Sequence, residues 1–598
     1  MLLLGIVLGT AVVLAIAYRT YGSFLSRMLG LDPERKTPAF EQEDGVDFIP
    51  TGSSYLLGQH FTAIAAAGPI VGPILAGLWF GWAPALVWII LGSIFIGGVH
   101  DFTALVASVR HQAKSIAEVV KESMNRRAYL LFLAFVWLAL VYVIIAFTDV
   151  TAAAFVKDLQ QSQVEAHTAD AANLVKPVRG AAVAGSSILY LVLAVLMGLS
   201  IRFFKISENR AALIFVPLIF VCIWAGQFVP LDFAGWFFSH LEGPEAERAA
   251  IKTWDLAILG YCCIAAVVPM WALLQPRGYL GAFFMYIALA GSVAGLLVGA
   301  WGGDQAALQI QYPAYLGFET GAGTLFPVLF VTVACGACSG FHALVASGTT
   351  SRQLKCEPDA KRVAYGAMLL EAFVALIALV TVMILTPAQA DKLSRQPNLI
   401  YAHGLADFFA VFSSSPAFKS FAITFGLLAF ATFVYDTLDV CTRLGRYILQ
   451  ELTGLQGRTG AVICTLATIV PAALLVTSNL SDPLSGKPVP AWRYFWGLFG
   501  TSNQLLAALT LVGVATWLKA QGRKWWYAAL PAVFMMAVTL TSLAQIIWTG
   551  WTRLRGDKMV LDLNFPIALA LLALAGVVLI EALRVIVRQR PPLPQGAG

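Results

Sequence analysis

Charge is what this chain has least of. Only 12% of its 598 residues are Asp, Glu, Lys or Arg, about half the share found in soluble domains. That deficit excludes a water-soluble surface for a chain of this length. Cysteine is also sparse: of 8 residues, seven lie inside apolar runs and Cys356 sits in a loop, so there is no disulfide framework to read. The chain has no G-x-x-x-x-G-K-[ST], which removes the usual nucleotide phosphate loop, and no H-E-x-x-H, which removes a zinc protease of that type. It also lacks Gly/Ser linkers and any polar stretch of domain size. Energy for work must then come from a gradient or a partner.

What the chain has instead is apolar length. Hydrophobic residues make up 59% of it and fall into about fifteen runs, from 1–18 to 564–588, each long enough to cross a bilayer as a helix. The expected fold is an all-α polytopic membrane protein of about fifteen transmembrane helices. The first run, LLLGIVLGTAVVLAIA, has no basic residue before it and has Arg19 and Arg27 after it. This charge order suits a retained helix with its N-terminus outside, not a cleaved signal. Every second loop is basic: Arg110 to Arg127, Arg202 with Lys205, Arg277, Arg352 to Lys361, Arg443 with Arg446, Lys519 to Lys524, and the tail with Arg588 and Arg590. The intervening loops 148–181, 229–254, 301–322 and 387–417 are mixed or acidic. The expected topology is an odd number of crossings, with the N-terminus periplasmic, the C-terminus cytoplasmic and loop 19–59 on the cytoplasmic side. The net charge of +6 is a topology signal and not a nucleic-acid footprint.

Two runs carry interruptions. HFTAIAAAGPIVGP places Gly68-Pro69 and Gly72-Pro73 inside the second run, and each Pro removes a helical hydrogen bond. VACGACSGFHALVASGTTSRQ places Gly336 and Gly340 around Ser339, a residue able to cap a new half-helix. By the charge count the two runs cross in opposite senses. Two discontinuous helices of opposite sense point to an inverted-repeat transporter whose site lies near the midplane; ordinary kinked helices are the alternative. Gly68, Pro69, Gly72, Ser339, Gly340 and His342 are the expected substrate-binding residues.

Ionisable groups at bilayer depth cost enough to be functional candidates. Glu371 and Asp436, with the adjacent His100 and Asp101, are the expected proton- or ion-coupling residues; His60 opens the first interrupted run. Asp439 has a local partner in Arg443 at a spacing of four, near the cytoplasmic surface, whereas Asp436 lies deeper without one. Neighbouring helical residues point about 100° apart, so His100 and Asp101 are not paired automatically. Asn503-Gln504 are read as helix-bridging polar groups, with the lining of a cavity as the alternative. Cys335, Cys338 and His342 stand at helical metal spacing but lack a fourth ligand, and small residues at helix contacts explain the cysteines equally well. No metal, cofactor or catalytic residue is assigned.

Long strings in the chain look like one family. YGSFLSRMLGLDPERKTPAFEQEDGVDFIPT, HFTAIAAAGPIVGPILA, GSIFIGGVHDFTALVASVR, CGACSGFHALVASGTTSRQL, TLDVCTRLGRYILQE and FWGLFGTSNQLLAAL, spread from about residue 18 to residue 518, resemble the carbon starvation protein A family. The resemblance implies a bacterial inner-membrane uptake system used in carbon starvation, a stress response. Members are described as peptide transporters or pyruvate–proton symporters. It also implies a LeuT-like core of the amino acid–polyamine–cation superfamily with extra helices. On that plan the single transporter domain 1–598 divides into an N-terminal helix and loop (1–59), a first inverted repeat (60–228), inserted helices (229–322), a second repeat (323–518) and peripheral helices (519–598). The expected function is proton-coupled import of peptides or small carboxylates such as pyruvate, the choice between them left open. Alternatives are a nutrient-binding membrane sensor without transport, and an intramembrane enzyme using Cys338 and His342. Expected partners are the small-molecule substrate, protons and the lipid bilayer, with no nucleic acid.

Overall fold

The computed structural model describes residues 1–123, 126–157, 180–302, 308–393, 396–413, 415–481, 488–555 and 562–587. Arg588 and Arg590 of the expected basic tail lie outside them. Among the described residues, 13 continuous helices are long and apolar enough to cross a membrane, and the bent pair Ser53–Ile64 and Gly68–Phe80 makes a fourteenth crossing. The fifteenth expected run is present but cut into pieces too short to qualify singly: Leu325–Thr332 and Gly340–Val345. The one short sheet pairs Glu319–Thr320 with Gly323–Thr324.

Helix Gly366–Met383, GAMLLEAFVALIALVTVM, is apolar all round and is enclosed along nearly its whole length, as such a pattern requires. Helix Ala491–Ala520 is also enclosed, whereas Leu2–Leu29, Glu208–Gly226 and Asn564–Arg584 lie at the edge. Three π-helical turns, Ser93–Gly97, Ala346–Thr350 and Lys361–Tyr365, lie in the central layer, and such turns concentrate at functional sites. One element was not expected. The outer loop 387–417 contains helix Pro397–Ala410, most of it buried, with its Gly404 set against Thr381 and its Ala402 against Gly426.

Both interruptions are real; the first is displaced from the Gly-Pro marks that signalled it, whereas the second contains Gly336 and Ser339. The first lies at Ala65–Ala67, joined by a 45° bend. Gly68 and Pro69 form the first turn of the helix that follows, where a missing N–H costs nothing. Gly72 and Pro73 lie inside that helix, so Gly72 contributes no freed backbone. Its role is contact: a Cβ there would strike the Thr332 carbonyl. The second interruption runs over Val333–Ser339, ahead of helix Gly340–Val345. The two breaks touch, because a Cβ on Gly68 would overlap the Cys335 side chain.

Glycines let the unwound strand pass. A Cβ at Gly97 would strike the Ala337 carbonyl, and one at Gly92 would lie 2.8 Å from the Ala337 methyl. Gly97→Val should therefore lower stability by about 1–3 kcal/mol, as overpacking does, whereas Gly9→Val, with nothing within 4 Å, should be neutral. Thermal melting of the purified protein in detergent checks both.

Candidate functional site

The site grows from the second break. Ser339 stands at the N-cap of helix Gly340–Val345, but its side chain does not cap it. Asn503, from the enclosed helix Ala491–Ala520, does so instead: its Oδ1 accepts from the Phe341 N–H at 2.9 Å, and its amide donates to Ser339 Oγ at 3.0 Å. The bridging reading of Asn503 thus has a specific content. Gly340 permits it, since a Cβ would be driven into the Asn503 carbonyl and lie 2.5 Å from the Ala507 nitrogen.

Two residues on from Gly340, His342 lies between two carboxylates. Its Nδ1 donates to Asp101 Oδ2 at 2.8 Å, and its Nε2 is 3.2 Å from Glu371 Oε2. His100 Nδ1 donates to the other Asp101 oxygen at 2.7 Å, so the adjacent pair that helical geometry left apart is joined by side-chain rotation. All four side chains are fully buried. Of the expected coupling residues, His100, Asp101 and Glu371 are thus one cluster with His342, supplied by three separate helices. His60, on the last turns of the first half-helix, bonds Thr350 Oγ1 at 2.8 Å.

The arrangement restricts where protons sit. An ionised Asp101 only accepts, so His342 Nδ1 carries a hydrogen. His342 Nε2 and Glu371 Oε2, though 3.2 Å apart, are not aligned as a hydrogen bond, and both Glu371 oxygens lack a hydrogen-bond partner among the described residues. Cys335 and Cys338 join no metal set: among the described residues no group of three or more His, Cys, Asp or Glu could hold an ion. Cys335 instead accepts from the Asn503 amide at 3.8 Å.

Asp436 is elsewhere, and the expected partner of Asp439 is wrong. Arg277, counted above among the loop cations, is buried: its Nε lies 2.9 Å from Asp436 Oδ1 and its Nη1 2.5 Å from Asp439 Oδ2. Arg443 turns away to Asp47, 2.8 Å from Oδ1, while Arg446 is 3.2 Å from Oδ2. Arg443 also donates to the carbonyls of Ala265 and Val268. The spacing of four suggested a local pair, but the tertiary partners are nearer. Arg277 was missed because a lone Arg between two apolar runs has the same appearance as a surface loop cation.

The strap around Asp47 closes one end of the molecule. Ile49 and Thr51 donate from their N–H groups to the carbonyls of Arg352 and Gln353, and Gln275 donates to both Thr51 Oγ1 and Gln353 Oε1. At the same end the buried Glu357 holds Arg110 at 2.7 Å and Arg35 at 3.3 Å. The cavity beside Asn503, lined by Phe341, Leu344 and Leu506 among others, measures about 10 Å³, room for one water at most.

The sequence comparisons bear on this geometry. The family profile described as "Carbon starvation protein CstA" matches residues 3–400 and 393–542. The chain belongs to that family. A "Peptide transporter CstA" of Helicobacter pylori is 33% identical, over 90% of this chain and 81% of its own. The Escherichia coli protein of the same name is 30% identical over 92% and 81%. An Escherichia coli "Pyruvate/proton symporter BtsT" is 29% identical over 92% and 83%. Among solved structures, a manganese transporter of Eremococcus coleocola aligns with 91% of this chain and 99% of its own, at TM-score 0.48 and 14% identity. The structure of MhsT in complex with L-phenylalanine aligns at TM-score 0.45 and 11% identity, over 89% and 98%.

Two outcomes test the site's supports. Asn503→Ala strands the Phe341 N–H and should cost about 1–3 kcal/mol, read as a lower melting temperature. For the strap, burial alone would raise the Asp47 carboxyl, but Arg443, then Arg446 and Arg352, hold it below the usual carboxylate range. A depressed carboxyl stabilises above its unfolded value and ceases to as pH falls through the folded one. Hydrogen exchange over residues 42–52 should therefore stay slow from about pH 8 to about pH 5, and Asp47→Asn should speed it at every pH in that range.

Proposed function

We propose that this family member is a secondary transporter that imports small carboxylates or short peptides together with protons, as the named relatives do with peptides or with pyruvate and protons. The observation that carries the reading is the meeting of two broken crossings beside a buried His342 whose Nε2 lies 3.2 Å from Glu371 Oε2. The first N–H groups of a helix lack intrahelical partners and lie at the positive end of its dipole. Gly68 at one half-helix, and Ser339 and Gly340 at the other, would hold the substrate carboxylate there through their N–H groups, as helix starts hold anions, while Pro69, which has no N–H, fixes the first turn. His342 and Glu371 would carry the coupling proton, with Asp101 and His100 fixing the imidazole. Gly72 serves by letting the second break approach.

On this reading the two broken crossings are equivalent helices of a LeuT-like inverted repeat, 60–228 and 323–518, with 229–322 inserted. The protein is a multi-pass membrane protein; the proposed membrane is the bacterial inner membrane, with the N-terminus periplasmic and the C-terminus cytoplasmic. The gathering of Arg35, Arg110 and Arg523 around Leu29, Gly30 and Glu357 supports one basic, cytoplasmic face. The Asp47 strap would then be the inner seal, and its release the step that admits water from the cytoplasm.

In proteoliposomes with an inward proton gradient, pyruvate, lactate, single amino acids and dipeptides should be tested in competition at two external pH values. One class should accumulate, and faster at the lower pH. Glu371→Gln should abolish accumulation while leaving the melting temperature and substrate exchange in place. Binding without uptake in the parent protein would favour a sensor, and normal pH-driven uptake in Glu371→Gln would remove Glu371 from the coupling.

A further inference from the structure

The transport reading leaves a second buried ionic site unused. Arg277 faces two carboxylates, Asp436 and Asp439, both deeply buried. One guanidinium against two carboxylates leaves the triad a net charge of −1 when all are ionised. It is also incompletely satisfied: Asp436 Oδ2 and Asp439 Oδ1 have no hydrogen-bond partner, and the Arg277 Nε–H, though close to Asp436, is not aligned on it. The surrounding titratable and charged groups are Tyr190, whose hydroxyl donates to the Arg277 carbonyl at 2.7 Å, Tyr261, which donates to Asp439 Oδ2 at 2.7 Å, Tyr435, whose ring lies 4.9 Å from the guanidinium, Cys262 and Cys441, and Arg443, whose charge reaches Asp439 but is paired with Asp47. The half-helix Ser53–Ile64 brings Thr62, which is not titratable.

Position makes the triad more than a structural ion pair. Thr62 Oγ1 donates to the Gly278 carbonyl at 2.7 Å, and Thr437 Oγ1 to the Ala63 carbonyl at 3.1 Å. Both residues on either side of the triad, Gly278 next to Arg277 and Thr437 next to Asp436, thus grip the half-helix just before its break. At the other end, Gln275 and Arg443 hold the strap. Along helix Pro416–Thr453 the order is Thr437 on the break, Asp436 and Asp439 on Arg277, then Arg443 and Arg446 on Asp47. Ten residues of helix, about 15 Å, join the break to the seal, and the triad lies between them.

We propose that Arg277 is a second, inward station for the substrate carboxylate, reached when the carboxylate replaces Asp436 on the guanidinium and Asp436 takes up a proton. The inference rests on the transport reading above. In the exchange the Arg277–Asp436 ion pair breaks, one proton from the entering water path binds the freed carboxylate, and an Arg277–substrate ion pair forms. The site held −1 before; with one anion and one proton added it still holds −1. An anion entering without the proton would raise it to −2 inside a low-dielectric interior, where like charges at contact are strongly opposed. Charge balance at a site with one surplus carboxylate thus enforces one proton per substrate carboxylate. The ligand class is an anionic carboxylate, whether of a keto acid or of a peptide C-terminus.

The test uses the full chain in detergent and in proteoliposomes, with pyruvate and a dipeptide as probes beside their uncharged amides. Asp436→Asn imitates the protonated state: binding of the acid probe should persist, its pH dependence should fall to the part set by His342 and Glu371, exchange should continue and uphill accumulation should stop. Arg277→Gln should weaken the acid probe roughly tenfold or more, the loss expected for a charged hydrogen bond, and leave the amide unchanged. Because that change strands two buried carboxylates, the neutral triple variant Arg277→Gln, Asp436→Asn, Asp439→Asn answers the same question if it does not fold, and should likewise lose preference for the acid. Wild-type pH dependence in Asp436→Asn, or undiminished preference for the acid in the Arg277 variants, overturns the station. If the parent protein takes up none of the probes, the transport reading falls instead.

Discussion

Everything in this molecule answers to one constraint: inside a bilayer, a backbone N–H or C=O without a partner costs several kcal/mol. Two crossings are broken, so two sets of peptide groups had to be satisfied by something other than their own helices. The Asn503 amide takes the Phe341 N–H. Thr437 takes the Ala63 carbonyl. The closeness these contacts need comes from residues without side chains, Gly97 beside the Ala337 carbonyl, Gly340 beside the Asn503 carbonyl and Gly68 beside Cys335. The long helices Ala491–Ala520 and Pro416–Thr453 are therefore clamps on the breaks as much as they are membrane spans.

Charge obeys the same logic. Most of the buried ions sit in connected groups, because an ion left alone in an apolar interior is costly; Asp255, with neither oxygen hydrogen-bonded among the described residues, is an exception. Beside the Glu357 group, three occur in order along the breaks and the strap. His100, Asp101, His342 and Glu371 adjoin the second break. Arg277 with Asp436 and Asp439 lies under the first. Asp47 with Arg443, Arg446 and, more distantly, Arg352 closes the end. The first half-helix divides the upper two, His60 reaching Thr350 and Thr62 reaching Gly278; residues two apart point to nearly opposite sides of a helix. A tilt of that one short helix would be felt by both groups.

How much of this could be read from the chain differs by feature. The crossings were plain, since runs of apolar residues have one stable use at such length. The breaks were legible to within a few residues, because Gly-Pro and Gly-Ser steps are rarely left in a continuous span; but Pro69 marks the start of the next helix and not the gap itself. Glu371 and Asp436 stood out as lone acids in apolar runs. Their partners did not. Asp439 looked paired with Arg443 because spacing along a helix is the only distance a sequence reports, and Arg277 looked like a loop residue because it separates two hydrophobic runs. Helix Pro397–Ala410 was hidden by its length, too short to be a crossing and too mixed to be read as core.

The sequence by itself determined the all-helical membrane architecture, the location of the two interruptions and the burial of Asp101, Glu371 and Asp436, because each follows from the local cost of polar groups in lipid. Only the tertiary structure decided which charges meet. Asp101, His342 and Glu371 lie on three helices far apart in the chain, and Arg277 is 159 residues from Asp436. Ion pairing depends on through-space distance, and packing alone sets that.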